Sequence, residues 1–336
     1  MPSSLSWIDH DSGARERSLR ILALFQEKES RDELGLGSIR DSLADKLFPG
    51  TSTIQTRLRY MLFVPWIYKQ LEQRQVAPED FARRADLAER DLIDAMRNAD
   101  DVEAGVFGGR SGRQLKRLPS SVYWAGLGAW GIRSMDPDLS QDQYHRQIGA
   151  IYESRRAQPA RERERGEIGD ALDSAPAAGT TTWHPRLPKP PDDFPETANF
   201  ALSRAEAGFL VDRIQRSYPD SLLAHLALHC EPVDIDAPWE HPDLARFTPI
   251  HRELLEHARL FSDVMHGAAL LYNLALAEMR QWQEKQEEHL AGIEDWLGEG
   301  DIDRFGRWSL PDFWSLTEGS AHRISAKTQR FVEQWV

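Results

Sequence analysis

The chain has 336 residues, 40% of them hydrophobic and 28% charged, and its 54 acidic against 41 basic side chains give a formal charge of -13. Such a length buries at least one substantial core and favours two domains, and the absence of eighteen consecutive apolar residues or a leader-like start predicts a cytoplasmic protein with no membrane partner. Cys230 is the single cysteine, which excludes an internal disulfide and a cysteine-built zinc cage; it reads as a small buried hydrophobe.

Helical periodicity runs through most of the chain. "RERSLRILALFQEK" repeats apolar residues at Leu19, Leu22 and Phe25, and "SIRDSLADKLF" sets Ile39, Leu43 and Leu47 on one stripe. After Pro49-Gly50, Thr51 or Ser52 is placed to cap a new helix, "TSTIQTRLRYMLFVPWIYKQLEQ", which Pro65 should bend or end. Two helices joined by a short Pro-Gly turn resemble a helix-turn-helix unit. "APEDFARRADLAERDLIDAMRN" predicts a further helix with Pro78 in its first turn.

Residues 105–122 start glycine-rich and run into a short helix expected to end at Pro119. "SVYWAGLGAWGI" then puts Tyr123, Leu127 and Trp130 on one side of a helix, and "SQDQYHRQIGAIYESR" supplies the next. From 155 to 194 the composition turns rich in Pro, Ala, Gly and charge without an apolar period, which predicts a partly disordered linker. Helices return at "SRAEAGFLVDRIQRSY", with Ser203 as its cap, at "DSLLAHLALHC", in the long run from His251 to Leu290, and in the closing segment. The expected architecture is mainly α with helix-turn-helix or winged-helix-like units: a helical DNA-binding and catalytic half over 1–154, the linker over 155–194, and an acidic helical half over 195–336.

Net acidity argues against indiscriminate binding to nucleic acid, but the acidity is concentrated behind residue 150. Two windows in the front half carry no carboxylate. The first, Lys46 to Leu71, holds Lys46, Arg57, Arg59 and Lys69; the second, Ala104 to Met135, holds Arg110, Arg113, Lys116, Arg117 and Arg133. Thr51 and Ser52, free amides of a first helical turn, Arg57 and Arg59 together suit a phosphate. The alternative is that the hydroxyls only cap and the arginines pair with Asp41, Asp45 or Glu72. Within the second window, residues 108–127 combine mobile glycines and four cations that track a backbone with the pair Tyr123-Trp124 as rings against an unstacked base, although rings at helical spacing also suit a core.

Other constellations are weaker. His251 and His257 stand six apart, on different helical faces, unlike the four-residue spacing of a zinc protease. In "WIDHD", Asp9, His10 and Asp11 suit a helix cap. No phosphate-binding loop, nucleophile elbow or dinucleotide fingerprint occurs. Asp41 and Asp45, four apart before the Pro-Gly turn, are carboxylates close in sequence to the first cationic window, and Asp41 is placed either to face Gln55 and Arg57 or to pair with Arg40, Lys46 or Arg59.

The segments "RDELGLGSIRDSLADKLFPGTSTIQTRLRYMLFVPWIY", "GRSGRQLKRLPSSVYWAGLGAWGI", "FALSRAEAGFLVDRI" and "FSDVMHGAALLYNLALAE" resemble a bacterial family of unknown function found in phage-defence neighbourhoods. That resemblance implies an anti-phage DNA glycosylase that removes α-glucosylated hydroxymethylcytosine from double-stranded phage DNA and leaves abasic sites. "TIQTRLRYMLFVPWIY" is also similar to a segment of winged-helix DNA glycosylases bearing a Gln-x-Gln or Gln-x-Asp motif; Gln55 matches its first position, and Arg57 stands where the second Gln or Asp belongs. The implied roles are charge stabilisation or water activation for Asp41 and positioning of water or base for Gln55. Thr51, Ser52, Arg57 and Arg59 would hold phosphate, with Arg110, Arg113, Lys116 and Arg117 along the DNA, and Tyr60, Tyr123 and Trp124 would line the base pocket. Neither a metal nor an organic cofactor is required; a DNA-binding adaptor without chemistry is the alternative.

Overall fold

A computed structural model describes residues 34–98, 104–109, 111–166, 181–299, 303–319 and 322–336. The predicted helix over Leu19 to Phe25, the Asp9-His10-Asp11 group and Arg110 lie outside them. The protein is mainly helical, and among the described residues the one β feature is an isolated antiparallel bridge between Arg133 and Trp183. Two compact units divide the chain: one spans Leu43–Glu256, and the other joins the chain up to Ser42 with His257–Val336. The division therefore does not fall at the expected 155–194 linker.

The larger unit is built around helix α2, Tyr60–Gln73, which follows α1, Leu36–Leu47. Tyr60 through Tyr68 are all buried, as suits a helix that is apolar on every side. At about 1.5–3 kcal/mol per large apolar side chain, this helix alone anchors the unit's core. It runs unbroken through Pro65 to Gln73 and packs on α3, Pro78–Arg97, and α4, Pro119–Ala129. Pro119 begins α4 where the sequence pattern expected it to end a helix, because proline needs no N–H partner at a first helical position. Among the described residues between α3 and α4, the one helical element is a 3-10 turn, Gly112–Gln114.

The connection between α1 and α2, residues 48–59, is three times longer than the turn of a helix-turn-helix unit, so neither that unit nor a strand-bearing wing forms among the described residues. Helix α5, Gln141–Gly166, continues twelve residues into the expected linker. Beyond it Trp183, Leu187 and Phe194 are buried in the core. The physical reason is Glu72, a carboxylate only 3% exposed at the end of α2. It accepts hydrogen bonds from Thr182 Oγ1 at 2.6 Å, Trp183 Nε1 at 2.7 Å, Arg155 at 2.5 Å and the Tyr144 hydroxyl. A buried charge persists only when so paired, and the segment with no apolar period supplies three of the four donors, Arg155, Thr182 and Trp183.

Two shorter helices complete this unit: α6, Arg204–Ser217, and α7, Leu222–His229. Ser203 caps α6 as expected, in a reciprocal pair with Glu206. In the other unit, α8, Pro249–Met279, continues past His257, followed by α9, Gln283–Glu299, α10, Asp303–Gly306, α11, Leu310–Thr317, and α12, Ala326–Glu333. Phe313 is fully buried there against Phe261 and Trp308, and Trp308 donates to His257 Nδ1 at 2.8 Å. Among the described residues α8 is the one helix long and apolar enough to cross a membrane by length and composition.

Candidate functional site

The segment 48–59 folds as a series of turns pinned at both ends. Gly50 adopts φ +79°, and a Cβ there would come within 2.4 Å of Trp130 Nε1, which donates to Pro49 O at 2.9 Å. Thr51 does not cap a helix: its hydroxyl donates back to Phe48 O at 2.7 Å, and α2 starts only at Tyr60 with no side-chain cap. The anion pocket expected at a helical first turn over Thr51 and Ser52 is therefore not formed. At the far end the Tyr123 hydroxyl accepts the amides of Thr56 at 2.9 Å and Arg57 at 3.0 Å and donates to Arg57 O at 2.8 Å.

The two acid-free windows meet here. Thr56 Oγ1 donates to Gly105 O at 2.6 Å and Arg57 Nε to Ala104 O at 2.7 Å, while the Arg57 guanidinium lies over the Phe200 ring. The exclusion of carboxylates from the later part of the first window has a different cause from the one the charge pattern suggests: residues 60–68 are core, where an unpaired anion is costly.

An open cavity of about 860 Å³ lies against these turns. Thr51, Ser52, Gln55, Arg57 and Tyr123 form its polar wall, and Gln55 donates to Gly50 O at 3.4 Å. Leu210, Val211 and Ile214 of α6 with Leu222, Leu223 and Leu226 of α7 form an apolar wall. The loop after α7 closes the rim with Cys230, Glu231, Asp236 and His241. Glu231 and Asp236, both exposed, are carboxylates of the cavity that the sequence pattern did not single out, since neither sits near the cationic windows in the chain.

Other residues selected from the sequence go elsewhere. Asp41 belongs to the other unit, half-exposed and paired with Arg40 at 2.7 Å. Arg59 is buried: its two terminal nitrogens bind Asn199 O at 2.8 Å and Glu206 at 2.8 Å, so the fork expected to hold phosphate is already turned to protein oxygens. Burial pushes the Glu206 carboxyl up, but the hydrogen bonds from Arg59 and the Ser203 amide outweigh it and hold its pKa below the ordinary range. Tyr60 and Trp124 are core rings and not walls of the cavity, Tyr60 accepting the Phe107 amide at 3.0 Å and Trp124 donating to Leu139 O at 2.8 Å. Arg113 is tied to Asp91 and Asp94, at 3.1 and 2.5 Å. Lys116 and Arg117 are exposed just ahead of α4.

Fold and site together define a mainly helical protein whose larger unit holds an open cavity with one polar and one apolar wall. The chain belongs to the DUF6361 family, a family of unknown function, whose pattern matches residues 2–144 and 173–336. No curated protein and no solved structure matches it.

Proposed function

We propose that the chain is a DNA glycosylase of anti-phage defence, which takes a modified cytosine of the α-glucosylated hydroxymethyl type into the cavity and hydrolyses its base–sugar bond to leave an abasic site. The observation that carries this reading is the convergence of Thr51, Ser52, Gln55, Arg57 and Tyr123, distributed over both acid-free windows, on one cavity of about 860 Å³. Ligand pockets of about 300–1,000 Å³ enclose molecules the size of a base bearing a hexose. Among the described residues expected to meet phosphates, Arg57, Lys116 and Arg117 are exposed, whereas Arg59 and Arg113 are already paired with carboxylates.

Cleavage develops positive charge on the sugar, which a carboxylate stabilises while a water molecule adds its hydroxyl to C1′ and its proton leaves with the base. Glu231 and Asp236 take the role first given to Asp41, because they line the cavity, and Gln55 orients water or base. A DNA-binding adaptor without chemistry is the second reading, favoured by the exposure of both carboxylates.

Purified protein incubated with glucosylated or unmodified DNA, then with an abasic-site endonuclease, tests the proposal. Strand cuts confined to the glucosylated substrate are expected. DNA binding without cuts would establish the adaptor instead, and no binding even at low salt would remove both.

A further inference from the structure

At the rim of the cavity the chain brings together three metal-ligating side chains that are scattered in sequence. Cys230 ends α7, while His241 and Asp243 lie two apart in the turns beyond Pro238, and one donor atom of each lies within 4.8 Å of the other two. His241 is only 6% exposed. Its Nδ1 accepts the Asp243 amide at 3.0 Å, whereas its Nε2 is buried with no hydrogen-bond partner. Buried polar atoms are normally satisfied, and a cation held together with the neighbouring thiol and carboxylate would satisfy this one.

We infer that Cys230, His241 and Asp243 form a three-ligand site for a divalent cation of the zinc type. Thiolate, imidazole and carboxylate together suit zinc, as harder ions take oxygen ligands alone. One thiolate and one carboxylate neutralise the cation's two charges, and Arg246, at 3.4 Å from an Asp243 oxygen, holds that side chain from outside. Tetrahedral zinc sets its donors about 3.3–3.7 Å apart, inside the 4.8 Å that bounds the three here. Coordination through Nε2 would place the ring proton on Nδ1 and open the bond to the Asp243 amide. Cys230 and His241 also line the cavity, so the position that three protein ligands leave open would lie within reach of a cavity ligand. None of this rests on the glycosylase reading.

Because Cys230 is the sole cysteine, one thiol reagent reads the site without ambiguity. Chelator-treated full-length protein is titrated with Zn²⁺ alone, following alkylation of Cys230, and with Co²⁺ alone, following thiolate-to-cobalt absorption. One equivalent of Zn²⁺ per chain should slow alkylation at least tenfold, and Co²⁺ should give a charge-transfer band that Cys230→Ser abolishes and Asp243→Asn weakens by about tenfold in affinity. Cys230→Ser conserves size at a partly exposed position, and unchanged helical circular dichroism verifies its fold. An alkylation rate indifferent to Zn²⁺, or a cobalt band that survives in Cys230→Ser, would overturn the assignment.

Discussion

The Tyr123 hydroxyl, carried on α4, closes a three-bond ring with Arg57 and its neighbour: it accepts two amides of the 48–59 turns and returns a proton to the Arg57 carbonyl at 2.8 Å. One oxygen atom therefore joins the two acid-free windows and sets the polar wall of the cavity. Tyr123→Phe keeps the ring in the core and removes all three bonds. The expected loss is about 1–3 kcal/mol in urea unfolding, with any cavity-dependent activity falling further than stability does. Equal stability of the variant and the parent would show that the turns hold themselves.

Arg57 and Arg59, two apart in sequence, should behave oppositely on truncation. Arg57→Ala removes an exposed cation and should leave the unfolding midpoint nearly unchanged while weakening DNA binding and flattening its salt dependence. Arg59→Ala strands the Glu206 carboxylate in the core and should cost about 3–5 kcal/mol. Thermal melts of the two single variants, beside DNA titrations over a salt series, separate them. A stable Arg59→Ala protein that loses DNA binding would return Arg59 to the interface.

Glu72 should be the most sensitive carboxylate of the larger unit. Glu72→Ala leaves Tyr144, Arg155, Thr182 and Trp183 without their common acceptor, and about 3–5 kcal/mol of stability should go with it. Limited proteolysis should at the same time open the 181–194 segment in advance of global unfolding. Cleavage unaltered there would mean that the apolar contacts of Trp183 and Phe194 hold the segment unaided.

Burial of Glu89 on α3 pushes its carboxyl up to about 7, against which the Ser120 hydrogen bonds act only in part. In the unfolded chain the group titrates near 4.5, so between the two values the folded state holds the extra proton. Stability is then highest below about 4.5, declines as pH rises, and has lost about 3 kcal/mol from this group above about 7. Glu89→Gln still accepts the Ser120 amide and should flatten the decline. Melting profiles of both proteins from pH 4 to 8 that run parallel would disprove the assignment.

If the cavity is catalytic, Glu231→Gln and Asp236→Asn should differ from Asp41→Asn. At least one of the first pair should bind glucosylated DNA and fail to release base, with a rate loss of about 100-fold or more, whereas Asp41→Asn should turn over normally. Base release measured under single-turnover conditions decides between them. Loss of turnover in Asp41→Asn alone would restore the assignment first drawn from sequence.

Local chemistry in the sequence determined many of the helices and some of their ends. Apolar repeats placed α1, α3, α6 and α7, Ser203 with Glu206 capped α6, and the turn residues Pro49-Gly50 ended α1. Such features depend on residues within a few positions of one another, and periodicity registers them. Tertiary structure decided the rest. Whether a stretch without carboxylates is core or interface depends on what packs on it, and α2 showed that burial suffices. The 181–194 segment joined the core because Glu72, more than a hundred residues earlier, needed its donors. The carboxylates of the cavity and the Cys230, His241 and Asp243 cluster come from loops whose only order is spatial; no spacing rule connects residues that a fold, and not a helical turn, brings together.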